Sequence, residues 1–378
     1  MKLLYRTRAA IGRLTLGLMA LTTIAAIGVD DYETLKVGQK APAFSLPGTD
    51  GETYTLDSFS DAEVLVMIFT CNHCPTAQAY EERMKQLVVD YQDRGVAVVA
   101  VSPNDPASVR LDELGYTDLS DSFEEMQIRA ADMAYNFPYL YDGETQEMSK
   151  AYGPVATPHV FVFDRDRVLQ YIGRIDDEER IGKAKTHDLR DALEAMLAGR
   201  PVANATTKTF GCSVKWADKT GDVQRAVKRW QEEPVSVETI TIEGVKDLMK
   251  NDTNKLRVIN IWATWCGPCV TEMPEFVDIN RMYRGRRFEL ITISMDGPEL
   301  AEDVLDVLKR NHVSSKNYHF ANEDAYALIE ALDPEWPGPI PYTVLIKPGG
   351  EIVFRQLSKI DPLELKREIV NHVGRYYD

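Results

Sequence analysis

At 378 residues the chain has room for two domains of ordinary size. Its 44% hydrophobic and 27% charged composition is that of a soluble globular protein, and no internal stretch reaches the ~18 uncharged apolar residues of a spanning helix. The net charge of −16 argues against nucleic acid as a partner, because neutralising phosphates takes clustered Lys and Arg.

Lys2, Arg6, Arg8 and Arg13 form a basic start, and Leu14 to Ile27 an uncharged apolar run. Ala26 and Gly28 are small residues at the −3 and −1 positions ahead of Asp30-Asp31. Residues 1–28 therefore read as a secretory signal peptide, with an uncleaved N-terminal anchor as the alternative. Either way the remainder is expected to be periplasmic or otherwise exported, touching a membrane only through the leader. The absence of a Cys near the leader excludes lipoprotein processing.

Two later segments share one grammar: an apolar strand, a CxxC, an amphipathic helix, a second strand, further helix, a Pro-containing apolar group, then a hairpin and a closing helix. In the first, Val64 to Phe69 reads as a buried strand and Cys71-Asn72-His73-Cys74-Pro75 follows it. Tyr80, Met84, Leu87, Val88 and Tyr91 recur at helical spacing, Gly95 ends the helix, and Val96 to Val101 is the next strand. Helices are expected near 122–135, 144–152 and 186–197, and an antiparallel pair at 159–164 and 168–172. Residues 217–234 lie in a polar stretch that reads as an irregular linker, whereas the apolar piece Thr209 to Trp216 is expected to dock on the first domain.

The second segment begins near Val235. Leu256 to Trp262 is its strand, Cys266-Gly267-Pro268-Cys269 follows, and the helix runs to about Tyr283 with Pro274 inside it. Phe288 to Ser294, Tyr342 to Ile346 and Glu351 to Arg355 read as strands, and 301–309, 323–331 and 363–373 as helices. The expected domains are 34–216 and 235–378.

The five cysteines are too few for a disulfide scaffold, and four of them form the two CxxC pairs. A CxxC at a strand-to-helix junction has a direct chemical consequence. Unsatisfied N–H groups and partial positive charge at the helix start stabilise a thiolate, which is the nucleophile of disulfide exchange. The second Cys, one turn on, can resolve the mixed disulfide. This makes Cys71 and Cys266 the expected attackers and Cys74 and Cys269 the resolvers. The alternatives are inert disulfides or one zinc site, but the pairs lie far apart and zinc takes four ligands in one tetrahedron. No metal and no cofactor is expected.

Trp265-Cys266-Gly267-Pro268-Cys269 within VINIWATWCGPCVTEMPEF resembles the thioredoxin superfamily, and more narrowly the TlpA/ResA-like thiol–disulfide oxidoreductases, over about 235–378. VGQKAPAFSLPGTDGETYTL, FTCNHCP, YGPVATPHVFVFD and GCSVKW resemble the redoxin (AhpC/TSA-like) group over about 34–216. The resemblance implies an α/β fold for each domain, two thioredoxin-like folds with a central mixed sheet and helices on both faces. It implies cis-prolines facing each CxxC, at Pro158 and Pro341, where flattened backbone can pair with a substrate strand. It places Asn260 where thioredoxin carries a buried Asp, and Glu272 as a carboxylate near the buried thiol that can shuttle its proton, the alternative being a favourable charge in the helix's first turn.

Against peroxiredoxins, Cys71 stands at the Thr position and Cys74 at the peroxidatic one, while the region that should bring an activating Arg reads Ala156-Thr157-Pro158. That lowers the standing of a peroxidase. His73, when protonated, stabilises a neighbouring thiolate, or is a solvent-exposed His of little effect. Cys212 is either a buried packing residue or a third redox Cys that resolves domain 1. Trp336-Pro337-Gly338-Pro339 is either a lip over Cys266 or a stiff loop, and 176–180 a solvated charge run.

The expected function is protein thiol–disulfide oxidoreduction, with protein thiols and disulfides as partners, an electron donor in the membrane upstream, and electrons relayed from domain 2 to domain 1. A thiol peroxidase in domain 1 recycled by domain 2, and a redox-silent binding module, are the alternatives.

Overall fold

A computed structural model describes residues 32–377 except 321 and 323, so the expected leader lies outside the described residues. Among those described, no helix is long and apolar enough to cross a membrane.

The first half opens with a hairpin of β1 (Ser45–Pro47) and β2 (Thr53–Thr55). Its main sheet holds β3 (Val64–Phe69), β4 (Val96–Ser102), β5 (Tyr139–Tyr141), β6 (His159–Phe163) and β7 (Leu169–Gly173), in the order β5-β4-β3-β6-β7. β3, β4 and β5 run parallel, β6 runs antiparallel to β3, and β7 antiparallel to β6. Side chains alternate along β3. Val64, Val66 and Ile68 face α1 (Pro75–Tyr91) and α4 (Asp188–Leu197). Leu65, Met67 and Phe69 face the opening hairpin's Leu46 and the Met148 and Tyr152 side chains of α3 (Glu147–Tyr152). Burial on both faces is why β3 reads as an unbroken apolar run. α2 (Phe123–Asp132) precedes β5 and is started by a capping box of Ser122 and Glu125.

The second half repeats this plan. β8 (Glu238–Thr239), β9 (Leu256–Trp262), β10 (Phe288–Ser294), β11 (Lys316–His319), β12 (Tyr342–Ile346) and β13 (Ile352–Leu357) form a sheet of order β13-β12-β9-β10-β11-β8. α7 (Gly267–Tyr283) and α10 (Pro362–Val373) cover one face of β9, against Leu256 and Val258. α6 (Ile242–Lys250) and α9 (Ala325–Leu332) cover the other, against Ile259 and Ile261. α8 (Ala301–Arg310) packs its Val304, Val307 and Leu308 beside Cys266 and Cys269. Both halves are thus thioredoxin-like α/β folds with a mixed sheet between helical layers.

Two expectations need correction, and one pair of alternatives is decided. Residues 217–234 are not irregular: α5 (Thr220–Gln231) fills most of the stretch, burying Ala226 and Trp230. Residues 176–180 are solvated only in part: Asp176 is buried and accepts from Tyr80 Oη at 2.7 Å and Arg83 Nη1 at 2.6 Å, while 177–179 are half-buried and Arg180 is exposed. Trp336 is not a lip: it is buried, stacks on Tyr342 at 5.0 Å between ring centroids, and donates its Nε1–H to Pro339 O at 2.8 Å.

The two halves dock through the end of α7 and the C-terminal residues. Tyr283 Oη donates to Thr117 O at 2.7 Å, and Arg286 donates to Gly115 O at 2.9 Å while lying over the Tyr116 ring. Arg367 and Arg375 converge on the buried carboxylate of Asp118. Val109 and Leu114 complete an apolar seam with the α7 and α10 core.

Candidate active sites

Strand register shows how the two CxxC motifs compare. The Thr157–Pro158 and Ile340–Pro341 peptides are both cis. The residue after each proline starts a strand paired antiparallel to the strand that precedes the cysteines: His159 opposite Phe69, and Tyr342 opposite Ile261. Five residues beyond Phe69 stands Cys74, and five beyond Ile261 stands Cys266. Cys74 and Cys266 are therefore equivalent. Cys71 falls level with Ala263, and Ala77 with Cys269.

Helix capping says the same. Cys266 is the N-cap of α7, and its Sγ accepts from Cys269 N–H at 3.3 Å. Cys74 is the N-cap of α1, and its Sγ accepts from Ala77 N–H at 3.5 Å. The expectation that Cys71 stands at a helix start does not hold. The helix begins at Pro75, whose fixed φ and missing N–H suit the first helical position.

In the second half Cys266 and Cys269 form a disulfide. Cys266 is 6% exposed and Cys269 fully buried, while the neighbouring Trp265 is 66% exposed. Glu272 is buried one turn beyond Cys269, on the same helical face. Its carboxylate accepts from Asn260 Nδ2 at 3.2 Å and from Ile360 N–H at 2.9 Å. Burial pushes its pKa up to about 7 against these two bonds. A carboxyl that titrates at neutral pH beside a buried thiol is suited to exchanging a proton with it.

The Glu272 shift makes a stability prediction. The folded state holds a proton on Glu272 between the ordinary carboxyl pKa and about 7, and the unfolded chain does not, so the group's penalty grows as pH rises through that window and is complete above it. Glu272→Gln keeps an acceptor and removes the charge. The variant is expected to match the wild type near pH 4.5 and to exceed it by about 2–3 kcal/mol at pH 8. Urea unfolding at the two pH values checks this, and a difference independent of pH contradicts it.

In the first half Cys71, Cys74 and Cys212 are all free and lie together. Cys71 Sγ is 3.1 Å from Thr157 Oγ1, and Cys74 Sγ is 3.3 Å from Thr157 O. Burial raises the Cys74 pKa, but hydrogen bonds from the Cys212 and Cys71 thiols, the His73 charge and the Ala77 N–H together hold it well below the usual thiol value. Burial pushes Cys71 well up, and Cys212 is pushed up by its bond to Cys74. The thiols of Cys71 and Cys212 thus flank the cysteine whose pKa is lowered.

His73 is buried rather than solvent-exposed, and its Nδ1 lies 2.5 Å from Asp121 Oδ2. Burial opposes its charge, but the Asp121 carboxylate outweighs burial and raises its pKa. Asp121 also accepts from Asn72 N–H at 2.9 Å, His73 N–H at 3.2 Å and Asn104 Nδ2 at 2.7 Å. One carboxylate therefore fixes the whole CNHC loop. Asp121 escapes the sequence reading because nothing local marks a residue 48 positions from His73 as its partner. Its one local signal is its place just ahead of the Ser122 cap.

Cys71, His73 and Asp121 bring ligand atoms within 4.8 Å of one another and are the described residues best placed to hold a metal. Closed tetrahedral zinc needs a fourth ligand, and Asp121 is already engaged by four donors.

Residues 37–172 and 223–355 each match the AhpC/TSA family, together more than half of the chain. Over 109 residues the chain is 35% identical to the thiol-disulfide oxidoreductase ResA of Oceanobacillus iheyensis, which is 28% of this chain and 53% of that protein. Over 120 residues it is 30% identical to ResA of Bacillus cereus, which is 31% of this chain and 64% of that protein. The chain thus spans about half to two thirds of the length of these relatives. Among solved structures, a hypothetical protein from Sinorhizobium meliloti is 34% identical, covering 49% of this chain and 97% of its own, with a TM-score of 0.44. An uncharacterized conserved protein from Geobacillus kaustophilus is 37% identical, covering 48% of this chain and 92% of its own, with a TM-score of 0.43. With one match in each half, the chain belongs to the AhpC/TSA family.

Proposed function

We propose that the protein is an exported thiol–disulfide oxidoreductase that exchanges dithiols and disulfides with protein clients. The observation that carries this reading is Cys266 capping α7 next to the Ile340–Pro341 cis peptide, as the less buried member of a disulfide with Cys269. Similarity to proteins named ResA supports it. In the reduced protein Cys266 attacks a client disulfide, Cys269 resolves the mixed disulfide, and Glu272 takes the Cys269 proton. Oxidised Cys266–Cys269 is then reduced again by a donor in the membrane. Export rests on the apolar run at 14–27.

Two sites working separately suit the geometry better than a direct relay. α7 has 17 residues, so about 25 Å separates Cys266 from the Tyr283 end that meets the first half. Cys74 stands near that meeting place, beside the Asp121 segment. A thiol peroxidase in the first half is the second reading, favoured by the depressed pKa of Cys74 at a helix start. Stoichiometric peroxide consumption lost on Cys74→Ser supports it.

Client trapping tests the main reading. Cys269→Ser cannot resolve, so the reduced variant is expected to accumulate mixed disulfides through Cys266 with a reducible protein such as insulin. Absence of any adduct, with the wild type equally unreactive toward insulin, rejects the function.

A further inference from the structure

The two halves differ in what lies along the backbone beside the cis-proline. Among the described residues, Ile340 makes no backbone hydrogen bond, so an edge next to Cys266 is open. Unpaired N–H and C=O groups beside a reactive sulfur form a template for an added strand. In the first half the equivalent residue, Thr157, is already paired. Its N–H donates to Cys212 O at 2.9 Å, and Cys212 N–H donates to Thr157 O at 3.3 Å, an antiparallel bridge.

The segment around Cys212 is built for that place. Thr209 Oγ1 donates to Pro158 O at 2.9 Å. Gly211 has φ +137°, and a Cβ there would stand 2.0 Å from Thr157 O, so only glycine lets the two backbones come this close. Val214 is buried, and Lys215 N–H donates to Asn104 Oδ1 at 2.8 Å. Held at both ends, the segment packs Cys212 against the Cys71 and Cys74 cluster, and Tyr377 lines the opening outside it with Phe210 and Gly211.

We propose that residues 209–214 are a built-in partner strand, seated where a client strand would pair, and that Cys212 is the thiol with which Cys74 forms its disulfide. This rests on the reading of Cys74 as a nucleophile. The Cys74 thiolate attacks one sulfur of an external disulfide, that S–S bond breaks, and the second sulfur leaves as a thiolate and takes up a proton. Cys212 then gives up its proton, and its sulfur attacks Cys74 in the mixed disulfide. The Cys74–Cys212 bond forms and the other half of the external disulfide leaves as a thiol. Two electrons pass from the Cys74/Cys212 pair to the external disulfide; of the two protons its halves take up, one comes from Cys212 and the other from solvent.

Because the strand position is filled, the first half takes small disulfides rather than extended protein strands. They enter by the opening of about 420 Å³ between Thr76, Phe210, Gly211 and Tyr377. Asp177, Glu178 and Glu179 line the same opening, which favours cationic over anionic disulfides.

The test uses the full chain, reduced, freed of reductant, and treated with one equivalent of the cationic disulfide cystamine before alkylation and peptide mapping. A Cys74–Cys212 crosslink is expected, formed at least about tenfold faster than with oxidised glutathione. Cys71→Ser is expected to give the same crosslink, and Cys212→Ser to retain cysteamine on Cys74. A Cys71–Cys74 crosslink in the wild type, with Cys212 alkylated, overturns the proposal while leaving Cys74 a nucleophile. Alkylation of all three with no adduct overturns both that reading and the proposal.

Discussion

Cys266→Ser is expected to lower protein-disulfide reduction by about three orders of magnitude or more, whereas Cys74→Ser retains over half of it. A serine hydroxyl at the α7 N-cap still accepts the Cys269 N–H, so the helix keeps its start and the fold survives. What is lost is the nucleophile, and residues that act as one unit fail together when one is removed. The contrast between the variants comes from the backbone edges. Ile340 is open to a client strand, and Thr157 is taken by Cys212. Insulin turnover under a common reductant, measured for both variants, checks the prediction. Equal loss in the two would mean that electrons must pass through Cys74 to reach the client, and that the halves work in series.

The legible parts of the chain are those where one local property decides the structure. β9 and β10 end where their largely apolar runs end, because both faces are covered; the polar residues they do bury are partnered, as Arg257 is by the Glu289 carboxylate of the neighbouring strand. α7 starts at its cysteine and stops at Tyr283 for reasons of spacing and capping that lie within the segment. The first site is less legible because long-range register decides it. A CxxC suggests that its first cysteine starts a helix, yet the pairing of Phe69 with His159 moves that position to Cys74. Pro75 carried the signal, since proline suits a first helical position. α5 was readable from Val223, Ala226, Val227 and Trp230 at helical spacing, but its polar composition obscures that stripe. The junction of the halves, through Tyr283, Arg286 and Arg375, has no local signal at all. Arg286 there reads as a helix-end charge, yet it bridges the halves, donating to Gly115 O and lying over Tyr116 on one side and donating to Val373 O on the other.

Asp121→Asn is expected to destabilise the protein by about 3 kcal/mol at pH 6 and to raise the Cys74 thiol pKa. The carboxylate is fully buried and accepts four hydrogen bonds, among them the one from His73 Nδ1. Burial by itself would push Asp121 up, but the His73 charge and these bonds hold it below its ordinary value. Removing one partner of a buried ion pair costs about 3–5 kcal/mol, because it leaves the other charge uncompensated. His73 can shed its proton instead, which puts the effect at the low end. The pH dependence fixes the cause. Asp121, with its pKa lowered, contributes above the usual carboxyl value near 3.8 and loses this as pH falls through its depressed folded pKa. His73, with its pKa raised, contributes below the usual value near 6.5 and loses this as pH rises through its elevated folded pKa. The pair therefore acts most strongly between about pH 4 and 6.5, and the gap between variant and wild type should narrow on both sides of that window. Urea unfolding across pH 3–9 measures the gap, and the pH profile of iodoacetamide alkylation at Cys74 measures the thiol. A variant within 1 kcal/mol of wild type at pH 6, with its alkylation profile unmoved, would mean that the His73 charge neither holds the CNHC loop nor sustains the thiolate.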